Sequence, residues 1–519
     1  MLTVSLLIEI LRTRPRLVFW LAALSQALLW LLVPSLFYSA PPGDLADVLA
    51  VGRELKFGGE LGPPLAYWLA EIALRAAGGH MFGVYLLSQV CIVVTYWAVF
   101  RLGSAIVGER HAVLAVFLMI GISVFTIGSP DFGPDNLMMP LWALAILHLW
   151  RAAGESKGLY WLALAADLSL MLLTSFLALP LIAALIVFLL IHPRGRASLM
   201  HVGAGAAALI LALMLLPTYA LIVQHGFNIG ATFAHLRGAL AVDQNLMAWG
   251  RLIALVLVAH AGAGILVVLA GNLARTRRSE AAAVTRAPID PFARFMIYYF
   301  ALVPVIVVTA FTVISGKSGI GGIPPLLVLS GLAIVTAAGD TIMLHHQRIL
   351  SIAWFSLLVL PPALAAAATL VLPSMFAVDL KVAQPADEMG RFFTENFERR
   401  TGSKLEVVAG DPRLAAVIAL ASPSRPQILN EEKPGRPRLA SRQAAFEKGA
   451  IVVWRATDAT RTLPPQIKEQ FPDLVAEVPR AFERGLQGRA PLLRVGWGMI
   501  RPQAQTPAAS ALPTAPQAQ

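Results

Sequence analysis

Carboxylates gather at two places in a chain that has little room for charge. The stretch Ser39–Trp68, SAPPGDLADVLAVGRELKFGGELGPPLAYW, is the first long break in an apolar sequence and carries Asp44, Asp47, Arg53, Glu54, Lys56 and Glu60. The second place is Ser129-Pro130-Asp131-Phe132-Gly133-Pro134-Asp135-Asn136, where two acids each follow a proline within two residues. A carboxylate held beside a hydroxyl can take its proton, and several oxygens together can hold a divalent cation. Asp44, Asp47 and Val51 lie at helical spacing, as do Leu45 and Leu49, so the first stretch predicts a short helix with both acids on one side. The Pro41-Pro42-Gly43 turn precedes it and Gly58-Gly59 stops it. Pro63-Pro64 then forces extended backbone before Leu65–Leu74, a second helix at the lipid surface with Tyr67 and Trp68 at headgroup depth. The same residues also fit a plain solvated connection whose acids keep it out of lipid.

The elements that must position these acids are membrane helices. The chain is 57% hydrophobic and only 14% charged, and its mean hydropathy is +0.70. Apolar runs long enough to cross a bilayer recur through the first three quarters, and runs such as Ala178–Ile191 and Val202–Leu216 lack the alternation of a membrane barrel. The expected fold class is therefore a polytopic α-helical membrane protein. About eleven spans are predicted: 17–38, 81–101, 112–128, 136–151, 159–174, 176–192, 200–223, 247–272, 293–314, 319–338 and 349–373. Arg12, Arg14 and Arg16 precede the first run, which continues without a small-residue cleavage pattern and reads as a retained span.

The net charge of +11 does not point to nucleic acid, because the basic residues collect at span ends with no aromatic-interleaved patch. Arg110, Arg151, Lys157, Arg194 and the group Arg275, Arg277, Arg278, Arg286 and Arg294 fall on alternate connections. The positive-inside rule then puts the N-terminus in the cytoplasm and Asp44, Asp47, Asp131 and Asp135 together on the outer face. An odd number of spans sends the C-terminus outside too. The single cysteine, Cys91, lies in an apolar run and reads as a packed core thiol. His260, between two alanines inside a span, reads as a helix-packing histidine.

The composition changes near Phe376, so the expected division is a transmembrane domain over 1–375, with its first outer loop at 39–80, a soluble α/β domain over 376–500, and a disordered tail over 501–519. Met389, Phe392, Phe393 and Phe397 share one face of a helix over Ala386–Arg400. Strand-like runs follow at Leu405–Val408, Ala450–Val453 and Leu492–Val495.

Taken together, the two acidic loops and the Pro-Pro pair resemble the GT-C glycosyltransferases. The similar branch holds the protein O-mannosyltransferases, the lipid A aminoarabinose transferases and the rhizobial lipopolysaccharide galacturonosyltransferases. Asp44 resembles the first acid of that branch's opening loop, and Pro63-Pro64-Leu65 with Tyr67-Trp68 resembles its later part. Pro134-Asp135 with Leu141-Trp142 resembles the Pro-Asp that follows the third span. The likeness extends through Leu173–Pro180, Pro217–Phe227 and Gly316–Gly331.

The resemblance implies transfer of a sugar from a polyprenyl-phosphate carrier to an envelope acceptor, such as lipid A, a glycan or a protein, on the outer face of a bacterial inner membrane. It makes Asp44 the general base or acceptor-orienting residue, with Asp47 and Asp135 in support. Asp131 and Asp135 are its candidate ligands for a divalent metal. Arg237, Lys317, Arg53 and Lys56 are its candidates for the lipid phosphate, with His225 and His235 on the same face; each also fits a cation that snorkels to headgroups. The sequence departs from the branch at several positions. Leu45 replaces the second acid of the opening pair, and Gly62 stands where a basic residue commonly precedes Pro-Pro. Ser175-Phe176 replaces a Lys-Tyr, and Gly321-Gly322 replaces a Trp-Gly. A lipid-carrier transporter and a catalytically silent membrane scaffold therefore stand as alternatives.

Overall fold

The structure, a computed structural model, describes residues 13–53, 55, 63–224, 242–271, 282–315, 322–344, 347–429, 440, 442–456, 460–483 and 492–502. The chain divides into two compact units, Met1–Pro373 and Ser374–Gln519.

The first unit is helical. Its first helix, α1 (Pro15–Phe37), begins on proline, whose missing N–H is one that no helix start can use. Two short helices follow in the first connection, α2 (Leu45–Gly52) and α3 (Leu65–Ala76). Next come α4 (Phe82–Ile106), α5 (Glu109–Ile120) and α6 (Pro134–Leu149), the last running on through a π turn at Trp150–Gly154. Then α7 (Tyr160–Leu172) and α8 (Ala178–Ile191) lead to α9 (Pro193–Leu199), which is bent 105° from α8. Beyond α10 (Val202–Gln224), α11 (Val242–Ala259) meets α12 (Ala261–Ala270) at a 54° bend. Strand β1 (Ala282–Thr285) precedes α13 (Pro291–Ser315). A 3₁₀ turn at Pro324–Leu327 opens α14 (Ser330–Ala337), and β2 (Thr341–Leu344) pairs antiparallel with β1 before α15 (Gln347–Phe376).

Every stretch expected to span holds a helix. Among the described residues six helices are long and apolar enough to cross by themselves, or up to eight if each bent pair is one span. The remaining expected spans are shorter: α5, α7 and the Pro324–Ala337 segment. Helices of twelve or thirteen residues rise only about 18–20 Å, less than the ~30 Å hydrocarbon core. They are packed between longer neighbours. Predicting spans from hydropathy alone could not see these breaks, because the apolar runs continue through them.

Lipid offers no hydrophobic drive for helix pairing, so close packing and polar contacts hold such bundles together. At the α11–α12 bend, His260 Nδ1 lies 2.8 Å from Val256 O. One turn further, Ala263 N–H donates to Gly121 O at 3.1 Å, and a side chain on Gly262 would overlap that carbonyl. His148 Nδ1 lies 2.6 Å from Asp167 Oδ2 and ties α6 to α7. Phe188 on α8 sits among Phe292, Tyr299 and Phe300 of α13, and Phe300 meets the edge of Trp142 on α6.

The second unit is an α/β sheet. Its helices are α16 (Ala386–Thr401), α17 (Pro412–Ala421), α18 (Arg442–Lys448) and α19 (Pro465–Gln470). Its strands are β3 (Val407–Gly410), β4 (Gln427–Leu429), β5 (Ala450–Arg455), β6 (Arg480–Phe482) and β7 (Leu493–Ile500), in the order β4-β3-β5-β7-β6. The β4, β3 and β5 strands are parallel, while β7 and β6 run antiparallel. Met389, Phe393 and Phe397 of α16 are buried, and Phe393 meets Phe482 and Trp497. Strands β4 and β6 are additions to the sequence reading; three residues are too few to show alternation. Most of the expected tail, 503–519, lies outside the described residues.

The α5–α12 contact yields a stability prediction. Gly262→Val should lower the melting temperature in detergent, at a cost of roughly 1–3 kcal/mol for overpacking. Gly264→Val, where an added Cβ meets nothing within 4 Å, should leave it nearly unchanged. Equal melting of the two variants would refute the close-contact account.

Candidate active site

The acids come from two connections that meet. Asp44 sits at the N-cap of α2 with its side chain exposed and making no capping hydrogen bond. Gly43, one residue earlier, has φ +50°, a left-handed conformation that glycine adopts without strain. It lies directly against the Asp131 carboxylate: a Cβ added there would overlap it. Gly133 likewise faces Val48 of α2, 3.8 Å from an added Cβ. The Ser129–Asn136 loop therefore packs along the acidic helix.

Asp47, half-buried in the first turn of α2, and Asp135, half-buried at the start of α6, act on one phenol. Burial raises the pKa of Tyr67 on α3, and the charges of Asp135 and Asp47 raise it further. Its hydroxyl therefore stays protonated and able to donate to a carboxylate or a substrate oxygen. Asp135 also accepts from the backbone N–H of Gly322 at 2.9 Å. A side chain at Gly322 would strike the same carboxylate. Gly322 thus offers its backbone N–H at a place where a side chain would not fit.

Two further segments complete the surroundings. Leu65 N–H, just after Pro63-Pro64, donates to Leu173 O at 2.9 Å, which ties the start of α3 to the end of α7. Ser175, where similar chains carry lysine, accepts from Leu177 N–H at 3.2 Å and helps start α8. Leu45, at the position of the second acid, is wholly buried.

Several residues that hold the site escaped the sequence reading. Asn136 is 4% exposed, and its amide donates to Ser88 Oγ at 2.7 Å, Ser129 O at 3.0 Å and Asp131 O at 3.2 Å. Gln89 Nε2 reaches Ser129 Oγ at 3.1 Å, and the Ser88 hydroxyl donates to Ser129 O. Deeper, Tyr96 OH donates to Gln26 Oε1 at 2.9 Å, while Gln26 Nε2 donates to Phe125 O at 2.6 Å. Glu71 on α3 is fully buried and pairs with Arg75 at 2.6 Å; Arg75 in turn donates to Arg53 O at 3.1 Å, joining α3 to the end of α2. The Glu71/Arg75 spacing of four was the one signal available for that pair.

Of the proposed phosphate ligands, Arg53 stands at the C-terminal end of α2. Lys56, Arg237 and Lys317, with His225 and His235, lie outside the described residues. Among the described residues no group of three or more His, Cys, Asp or Glu side chains gathers as a metal site. Asp131 and Asp135 alone give too few donors for a hard cation, which takes six or more oxygens including water, so no step is routed through a metal.

The sequence and fold were compared with known proteins. The dolichyl-phosphate-mannose-protein mannosyltransferase family model matches residues 62–220. An uncharacterized protein from Aquifex aeolicus is 25% identical over 154 residues, which is 29% of this chain and 31% of that protein. The chain thus spans about a third of the length of the curated relative it matches. Among solved structures, ArnT from Cupriavidus metallidurans bound to undecaprenyl phosphate superposes with a TM-score of 0.54 at 12% identity, covering 93% of this chain and 97% of that one. Its apo form gives 0.55 at 12% identity, with 94% and 98% covered. The chain has the GT-C glycosyltransferase fold, in a multi-pass membrane protein with a small C-terminal sheet.

The buried amide gives the second prediction. Asn136→Leu removes a donor from Asp131 O and one of two donors from Ser129 O, which keeps the Ser88 hydroxyl, at a cost of about 1–3 kcal/mol. Thermal unfolding in detergent should shift down by several degrees. Asp44→Asn, at an exposed position, should melt like the parent. A parental melt for Asn136→Leu would remove the network from the account of the loop.

Proposed function

We propose that this protein transfers a sugar from a polyprenyl-phosphate donor to an acceptor of the cell envelope, on the periplasmic face of a bacterial inner membrane. The observation that carries the reading is the convergence of three separate connections on one acidic site. Asp131 abuts Gly43, the charges of Asp47 and Asp135 both act on Tyr67, and Gly322 donates to Asp135. The family-model match and the fold shared with ArnT support it.

In this reading the acceptor's nucleophilic atom approaches the sugar's anomeric carbon beside Asp44. A new glycosidic bond forms as the bond from that carbon to the carrier phosphate breaks. The acceptor proton passes to a carboxylate, with Asp44 the exposed candidate and Asp47 one turn behind it. The phosphate leaves on its lipid, carrying the electron pair of the broken bond. Negative charge grows there in the transition state, so donors held at that point lower the barrier most. Arg53, Lys56, Arg237 and Lys317 are the proposed cations, and protonated Tyr67 is a further, neutral donor. Asp135, fixed by Gly322, orients the acceptor or Tyr67. The proposed orientation has a cytoplasmic N-terminus and a periplasmic C-terminal domain. Lipid A, other lipopolysaccharide, a glycan and a protein are the candidate acceptors.

Two predictions test this. Asp44→Asn and Asp135→Asn should each lower sugar transfer by roughly 10²–10⁴, the usual contribution of a positioned acid or base, without loss from the membrane. Mass spectrometry of lipid A and envelope glycans from cells with and without the protein identifies the product and scores the variants. Full modification in Asp44→Asn cells would end the catalytic assignment of that residue. Gly322→Ala should displace the Asp135 carboxylate and lower kcat with little change in donor KM. Unaltered kinetics would show that Asp135 needs no fixed position.

A further inference from the structure

An apolar cavity of about 580 Å³ lies between α5, α12, α14 and α15, away from the acids. Its polar lining is confined to one end: Thr341 opens β2, Gln347 opens α15, and Ser351 follows one turn later. Gly271, just past α12, and Ala338, just past α14, border the same end. From Gln347 to Phe355 a helix rises about 12 Å, so the cavity reaches from a membrane face well into the hydrocarbon. There its walls are Leu114, Phe117, Leu118, Ile334 and Trp354.

The cavity opens sideways onto lipid. Val267 and Phe355 line it and are 42% and 48% exposed, on helices whose outer faces also expose Val268, Ile352 and Val359. Only 17% of the apolar window of α15 is buried. A cavity with this opening takes a hydrocarbon chain from the bilayer, and water gains nothing there because few polar groups converge on it.

The charge at the polar end selects the headgroup. Arg348 is exposed beside Gln347 at the start of α15. Arg286 pairs with Asp340 at 3.2 Å and donates to Thr336 O at 3.2 Å, next to lining residues Ala337 and Thr341. That pair is neutral as a unit, so among the described residues beside this end Arg348 adds a positive charge. The N–H groups at a helix start add a further preference for an anion.

The polyprenyl carrier of the proposed reaction is the other lipid to consider. Helix α5 begins at the cavity end with Glu109, runs past Leu114 and Leu118, and only beyond Ile120 reaches the loop of Asp131 and Asp135. A carrier phosphate at Arg348 would therefore sit at the wrong end of the helices for the acids. We propose that the cavity holds one acyl chain of an anionic glycerophospholipid, with its phosphate at Arg348 and the start of α15. This site does not depend on the sugar-transfer reading.

The test is native mass spectrometry of the full chain in mild detergent, titrated with phosphatidylglycerol or phosphatidylcholine of identical acyl chains. Phosphatidylglycerol should give one retained adduct and phosphatidylcholine much less. Arg348→Gln should weaken the phosphatidylglycerol adduct about fivefold, the factor for about 1 kcal/mol per basic residue at a membrane surface. Ala270→Trp, which fills the cavity, should abolish it while leaving the melting transition intact. If that variant does not fold, Val267→Trp at the lateral opening should do the same. Equal adducts with the two lipids would overturn the choice of headgroup. An adduct that survives both tryptophans would place the lipid elsewhere. One-for-one displacement by undecaprenyl phosphate would assign the cavity to the carrier and overturn the proposal.

Discussion

One side-chain amide holds the acidic loop in shape, and the rest of the site depends on it. Asn136 is buried at the start of a membrane helix, where water cannot satisfy backbone carbonyls. It donates to Ser129 O and Asp131 O and to the Ser88 hydroxyl of the neighbouring helix. The Ser88 hydroxyl also donates to Ser129 O, so the amide matters most for Asp131 O. Satisfying both carbonyls fixes the path of the backbone that carries Asp131 and Asp135. An apolar residue at this position would leave the loop held by its packing against Gly43 and Val48 and by Gly322 N–H on Asp135.

The neighbouring elements are placed by contacts of the same kind. Arg75 neutralises buried Glu71 and reaches the Arg53 carbonyl, so α2 and α3 move as one piece. Leu65 N–H on Leu173 O joins that piece to α7, and Gly322 N–H on Asp135 brings in the connection before α14. Each acid is therefore carried on the end of a helix whose far portion is packed. Rigid support of this sort suits a site that must hold a reacting pair at fixed separation, since misplacement by an ångström is costly.

Much of this was legible in sequence, and the exceptions have a common cause. Helix α2 followed from the spacing of Asp44, Asp47 and Val51, and α3 from Pro63-Pro64 ahead of an apolar run with Tyr67 and Trp68. Hydropathy placed a helix in every expected span, but missed α9, the β1–β2 pair and the breaks that shorten α5 and α7. That the two acidic loops meet was suggested by the family resemblance; spacing alone could not carry it. Gln26, Ser88, Gln89 and Asn136 went unnoticed because a lone polar residue in an apolar run has no periodic signature. Its partner is far along the chain: forty-eight positions separate Ser88 from Asn136, and ninety-nine separate Gln26 from Phe125. Such pairs become visible only once helices are packed. Gly321-Gly322 was read only as the loss of a Trp-Gly, whereas the N–H of Gly322 and its lack of a Cβ are what the Asp135 carboxylate meets.

The departures from the resembling family therefore need separating into kinds. Ser175 replaces a cation with a helix-starting hydroxyl, and Leu45 replaces an acid with a buried anchor. Both changes remove charge from the site and add order to its frame. Gly322 belongs to a third kind: it stands at the glycine of the Trp-Gly, and its lack of a Cβ lets the Asp135 carboxylate approach its N–H. A scaffold relieved of catalysis would have no reason to keep a half-buried carboxylate beside a phenol, since burying the charge costs stability unless something offsets it. Asp135 accepts from Gly322 N–H at 2.9 Å, and one hydrogen bond offsets only part of the cost of burying a carboxyl group. A site that uses the group can retain that cost, whereas a purely structural loop would shed it by a change to an apolar residue.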